Sequence, residues 1–347
     1  MFTKRSHGDR AGADVGSSWA VSESFYPAVD GTTTTVRAVA DRLVDTDHHV
    51  LGVAPGPGLA SYRGCRVARI GKPGRCEQVL VALADFGADY WRTTMARRAE
   101  LGVEAPVWTP GVDTRTFSPT LRDPGIRSNW ARHGEVLVGY VGGLRNRHDV
   151  RRLAELGSVR GSRLVVVGDG PQRRWLETQL PTARFLGPLD TGALATTLAN
   201  LDVLVHPGFA ETCCHALREA AASGVPVVAP AAGGATDVVR PMETGLLHDP
   251  RDPRGLVRAL DAVVADQQRD LLGEHGRILA EWRSWEDAVD ELVTDHYLPL
   301  VETSRAARTP QPPRPSRAAT SRRRPDAPWT AGGRCRARRS GGRRSPR

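Results

Sequence analysis

From residue 135 onward the chain repeats one pattern. Short apolar runs rich in β-branched residues, EVLVGYVGG (135–143), RLVVVGDG (163–170), ARFLGPL (183–189), DVLVHPG (202–208), VPVVAP (225–230) and TGLLHD (244–249), alternate with segments of helical periodicity. A strand that is apolar at consecutive positions is covered on both faces, and helices between such strands predict a parallel α/β sheet. Ahead of this region SWAVSES (18–24), HHVLGVAP (48–55) and RVARI (66–70) predict strands, and VRAVADRLVDTD (36–47) a helix. The pattern weakens after Gly74. There EQVLVALADFGADYWRTTMARRAELG predicts one or two helices, and APVWTPGVDTRTFSP a strand running into a loop. Residues 254–301 predict two closing helices, the second opening at SWEDAVDEL with Ser284 as N-cap.

The elements divide into two α/β halves. LRDPGIRSNWARHG, within residues 120–134, has the Pro and Gly chemistry of a linker. This gives an N-terminal stretch at 1–17, a first Rossmann-like domain at 18–130, a second at 131–301 and a tail at 302–347. Two domains suit 347 residues. Ligands of such sheets lie beyond the carboxyl ends of the strands, so a cleft between the halves is the expected site.

Charge changes the picture only at the end of the chain. Thr303 to Arg347 holds 14 arginines against one acid, Asp326, so +13 of the net +9 lies there and residues 1–302 carry about −4. The tail has almost no aliphatic residues and is expected to be disordered. Its arginines could attract nucleic acid or anionic lipid, but a nucleic-acid role for the rest of the chain is not expected. Five cysteines (Cys65, Cys76, Cys213, Cys214, Cys335) show neither metal-ligand spacing nor a disulfide framework, which predicts a reducing cytoplasm. The opening residues lack an apolar core of signal-peptide length, and no run reaches bilayer-spanning length.

Candidate chemistry concentrates in GFAETCCHALREAAASGVPVVAP (208–230). If this stretch is helical from about Thr212, Glu211 and Glu219 lie on nearly one face, about 12 Å apart along the axis. That is too far to share a proton, and it suits one extended ligand held at both ends. The free N–H groups of Thr212, Cys213 and Cys214 would form an anion site at the helix start. A nucleotide sugar fits, with sugar hydroxyls at Glu211, diphosphate at the helix start and ribose at Glu219. Cys213 and Cys214 read as small packing residues before they read as nucleophiles. GDGP (168–171) reads as a tight turn into a helix before it reads as a phosphate loop. Gly233 and Gly234 read as pocket wall, Trp282 and Trp285 as core anchors, and Arg97 and Arg98 as a solvated helix face.

These residues carry a resemblance. GFAETCCHALREAAASGVPVVAPAAGGATDVV is similar to the signature of the retaining family 4 glycosyltransferases, whose paired glutamates frame the donor site of a GT-B fold. SESFYPAVDGTTTTV, HHVLGVAPGPG, TPGVDTRTFSP, RLVVVGDGP, RFLGPL and TGLLHDP follow in the family's order, over roughly residues 18 to 300. Within the family the likeness is to actinobacterial GDP-mannose-dependent α-mannosyltransferases that build mannosylated glycolipids. The resemblance implies a hexosyltransferase acting at the inner membrane face on a lipid-linked or glycoside acceptor, with no metal cofactor. By position it implies that Glu211 meets the transferred hexose, Thr212 to Cys214 hold phosphate, Leu217 borders the base and Glu219 binds ribose. Gly31 would let the backbone approach the donor phosphate.

Two departures stand against the match. In YVGGLRNRHDV, Gly143 and His148 occupy the places where the family keeps an arginine and a lysine against the donor diphosphate, leaving Arg147 or Arg145 to reach in. The first domain is also short. A strand-helix-strand unit takes about 30 residues, and a middle stretch is missing between RIGKPG (69–74) and FGADYW (86–91). His48 and His49 read as surface residues and not as substitutes. The alternative expectation is therefore an inactive nucleotide-binding relic of the family.

Overall fold

The computed structural model describes residues 18–21, 26, 31–46, 50–70, 108–132, 134–211 and 213–297. The first lobe contains β1 (Ser18–Val21), α1 (Gly31–Asp45), β2 (Val50–Pro55), β3 (Ser61–Tyr62) and β4 (Cys65–Ile70). Its sheet has the order β1-β2-β4-β3, parallel except where β3 folds back on the start of β4. The expected helices at 77–102 with Arg97 and Arg98, the pair His48 and His49, residues 1–17 and the tail 302–347 lie outside the described residues.

The second lobe carries all six strands that the apolar runs predict. They are β5 (Val136–Val141), β6 (Ser162–Val167), β7 (Arg184–Gly187), β8 (Val203–Val205), β9 (Val227–Pro230) and β10 (Gly245–His248), in the order β10-β9-β8-β5-β6-β7 with every pair parallel. Alternate side chains feed two cores. Val136, Val138 and Tyr140 enter one, and Leu137 the other with Val165 and Leu204. Both faces are therefore covered, which is why these strands read as continuous apolar runs. The intervening helices are α2 (Pro124–Trp130), α3 (Arg173–Gln179), α4 (Thr191–Ala199), α5 (His215–Ala222) and α6 (Ala235–Val238).

The expected linker is not a free connection. After a 3-10 turn at Pro119–Leu121 it forms α2 and docks on the second lobe. Arg122 and Arg127 both bind Asp202, at 2.6 and 2.8 Å, and the Leu137 N–H donates to the same carboxylate at 2.8 Å. Burial pushes Asp202 up, but these donors outweigh it and hold the carboxyl below its ordinary range.

Three helices close the chain where two were expected: α7 (Gly255–Ala265), α8 (Arg269–Glu281) and α9 (Trp285–Glu291). Asp266 breaks the first pair by accepting the Gln268 N–H at 2.8 Å. Ser284 caps α9 as expected, in a capping box with Asp287. Helix α9 returns to the first lobe, where Trp108 donates its indole N–H to the Ala288 carbonyl at 2.6 Å. Trp285 packs against Trp108. Trp282, expected in the core, ends α8 on its outer side and is 73% exposed. No helix among the described residues is long and apolar enough to cross a membrane.

Candidate active site

Strand β8 runs into the buried turn His206-Pro207-Gly208, and α5 begins only at His215. The sequence places the helix start about three residues too early. Cys214, the residue before the helix, takes a left-handed conformation with φ 46°, and the N–H groups of Leu217 and Arg218 both return to its carbonyl. Glu211 consequently stands on a loop and only Glu219 lies on the helix, so the expected common helical face does not form. Thr212 lies outside the described residues. The amide end of the helix belongs to His215 and Ala216 and not to Cys213 and Cys214.

Cys214 is buried in the second core, and burial pushes its thiol far up, which leaves it a packing residue. Leu217 is fully buried in the same core and offers no surface to a base, contrary to the role its position implies.

Glu211 is bound by His148, the residue that sequence comparison marks as a lost cation. His148 Nδ1 hydrogen-bonds Glu211 Oε1, and Arg147 Nε–H donates to His148 Nε2 at 3.1 Å. One glycine makes the approach possible. A Cβ on Gly208 would stand 3.1 Å from the His148 carbonyl, whereas one on Gly143 would meet the His148 ring only at 3.6 Å, an ordinary contact. The turn passes through Asp149, which is left-handed at φ 50°. Gly233 and Gly234 back the loop from the other side, with the Gly234 N–H donating to the Glu211 carbonyl at 2.8 Å. Burial pushes the Glu211 carboxyl up. The His148 hydrogen bond, with the nearby Arg147 guanidinium, outweighs that and holds it below its ordinary value. His206 is buried with its Nε2 unbonded among the described residues, and burial pushes its imidazole pKa down. It stands in the same HPG run that ends β8, so its place beside Glu211 was readable.

Glu219 faces the other lobe. Burial raises its carboxyl to about 7, opposed by the charge of Arg37 on α1, and no hydrogen bond to it forms among the described residues. His215 joins the lobes. Its Nε2 lies 3.1 Å from Thr35 Oγ1, and its ring packs on Trp285. Gly31 is the first residue of α1, and a Cβ there would stand 3.1 Å from the His215 ring. Its missing side chain makes room for an imidazole. The GDG turn at 168–170 is structural as expected: Gly168 and Gly170 pack on the carbonyls of Gly142 and Leu144.

Two parallel-sheet lobes with a carboxylate loop and helix at the strand ends define a GT-B glycosyltransferase. The fold is that of the Anabaena protein HepE in complex with UDP, with a TM-score of 0.66 at 16% identity over 81% of this chain and 100% of that one. Sucrose-phosphate synthase from Thermosynechococcus elongatus gives 0.63 at 19% identity, over 84% and 100%. Residues 135–266 match the family described as Glycosyl transferases group 1. A GDP-mannose-dependent alpha-mannosyltransferase of Mycolicibacterium smegmatis is 32% identical over 80% of this chain and 96% of its own length. One of the same name from Mycobacterium tuberculosis is 40% identical over 59% of this chain and 52% of its own length. The chain belongs to the glycosyltransferase group 1 family and is a hexosyltransferase. Nothing in these relatives supports the alternative of an inactive relic. The Mycolicibacterium alignment runs over 361 positions while using 80% of a 347-residue chain, so it crosses positions where this chain has no residue.

Proposed function

We propose that this protein transfers mannose from GDP-mannose, with retention of configuration, to a lipid-linked or glycoside acceptor at the inner face of a membrane, without a metal. The observation that carries this reading is Glu219, a half-buried carboxyl on α5 opposed to Arg37 of α1, with no hydrogen-bond partner among the described residues. A partly desolvated acceptor without donors suits a ribose diol that brings two. Glu211 then meets the hexose, held ionised where positive charge develops in the transition state. The diphosphate is assigned to the start of α5, and the terminal nitrogens of Arg147, which have no partner among the described residues, supply a cation. Guanine and mannose are supported by the names of relatives at 32% and 40% identity.

Titration calorimetry with GDP, UDP, GDP-mannose and UDP-glucose tests the donor. GDP is expected to bind at least about tenfold more tightly than UDP, a difference near 1.4 kcal/mol. Equal affinity would remove the GDP assignment. Proton NMR of donor turnover tests the stereochemistry: α-mannose must be the first product, and β-mannose overturns retention.

A further inference from the structure

Resting on the reading of Glu211 as the group that meets the hexose, we propose that Arg147 and His148 are positioning residues that fix Glu211 through a single imidazole tautomer. The hydrogen bonds leave one arrangement. An arginine Nε–H can only donate, so His148 Nε2, which receives it at 3.1 Å, must present a lone pair. The ring proton then sits on Nδ1 and points at Glu211 Oε1, which accepts as a carboxylate. The opposite tautomer would set two N–H groups against each other and turn a lone pair onto the carboxylate. Arg147 therefore decides which hydrogen His148 offers.

The chain of contacts is also rigid. Asp149 takes a left-handed turn, Gly208 admits the 146–148 turn, and Gly234 pins the Glu211 backbone. One carboxylate oxygen is thus occupied, and Oε2 has no partner among the described residues. That oxygen is left for the sugar in a fixed direction. Among the described residues Arg147 is engaged through Nε alone, so contact with a phosphate through its terminal nitrogens is compatible with this role.

Imidazole long-range 1H–15N spectra test the tautomer directly. Wild-type protein at neutral pH is expected to show His148 protonated at Nδ1, and Arg147→Met to shift it toward Nε2–H. Calorimetry then compares GDP-mannose with GDP as a ratio of affinities, and the His148→Asn background corrects for the extra charge on the terminal phosphate of GDP. Arg147→Met is expected to lower that ratio about tenfold. In a His148→Asn background, where an amide N–H replaces Nδ1–H and needs no partner at 147, the same change is expected to leave the ratio within about twofold. An Nε2–H tautomer in the wild type, or an equal effect of Arg147→Met in both backgrounds, overturns the proposal. If the wild type binds neither ligand, the donor reading falls and the imidazole signals alone decide this one.

Discussion

Burial raises the Glu219 carboxyl to about 7, so near neutrality the group is divided between charged and protonated forms. Ribose hydroxyls donate to a carboxylate and favour the charged form. Binding of GDP is then expected to release a proton, and affinity to rise between about pH 6 and 8. Calorimetry in buffers of different ionisation enthalpy reads this, and Glu219→Gln should abolish the release while weakening GDP about tenfold. Proton release surviving in that variant would place the ribose elsewhere. The same shift acts on the free protein with a fixed sign. A carboxyl raised in the fold from its ordinary 4.5 contributes stability below 4.5 that is lost as pH rises through 7. The loss is on the order of 2 to 3 kcal/mol. Glu219→Gln should flatten the fall in Tm over that interval.

Helices α1 and α5 meet at their first residues, where a single imidazole fills the space that Gly31 leaves. Gly31→Val would press branched methyls into the His215 ring, and the seam between the lobes must open. A Tm loss of several degrees is expected, corresponding to about 1 to 3 kcal/mol of overpacking. His215→Ala added to Gly31→Val should recover part of it, and a purely additive double variant would show that the two do not compete for space. His215 itself is pushed down to about 4, by burial first. A histidine depressed in this way stabilises the fold above its ordinary 6.5 and loses that contribution as pH falls toward 4, opposite in sign to Glu219. At this scale the strands were the most legible part, because two covered faces leave a run that has no other explanation. The start of α5 was not legible: Cys214 carries no capping side chain, and its left-handed backbone has no mark in the sequence. The role of His148 was also hidden, since its partner lies 63 residues away and meets it only through Gly208 and the turn at Asp149. Arg122 and Arg127 were read as linker for the same reason, their shared acid being Asp202 on the far side of three strands.

The two lobes are not equal partners in stability. The second owns two cores on either face of six strands, while the first has four strands and two small clusters, Ala54 with Val67, and Val39, Leu43 and Val50 completed by Val289 from α9. Its exposed ion pair, Arg42 with Asp290, contributes little, within about 1 kcal/mol. Val289 is fully buried at the joint, so Val289→Ala is expected to cost about 2 kcal/mol through lost transfer energy and a cavity. Because that cost falls on the first lobe alone, calorimetric unfolding should separate into an earlier transition for the first lobe and an unshifted one for the second. Asp290→Ala should leave both transitions where they are. A single transition displaced as a whole by Val289→Ala would mean that the lobes unfold as one unit, and that α9 belongs to a common core instead of serving as the first lobe's missing wall.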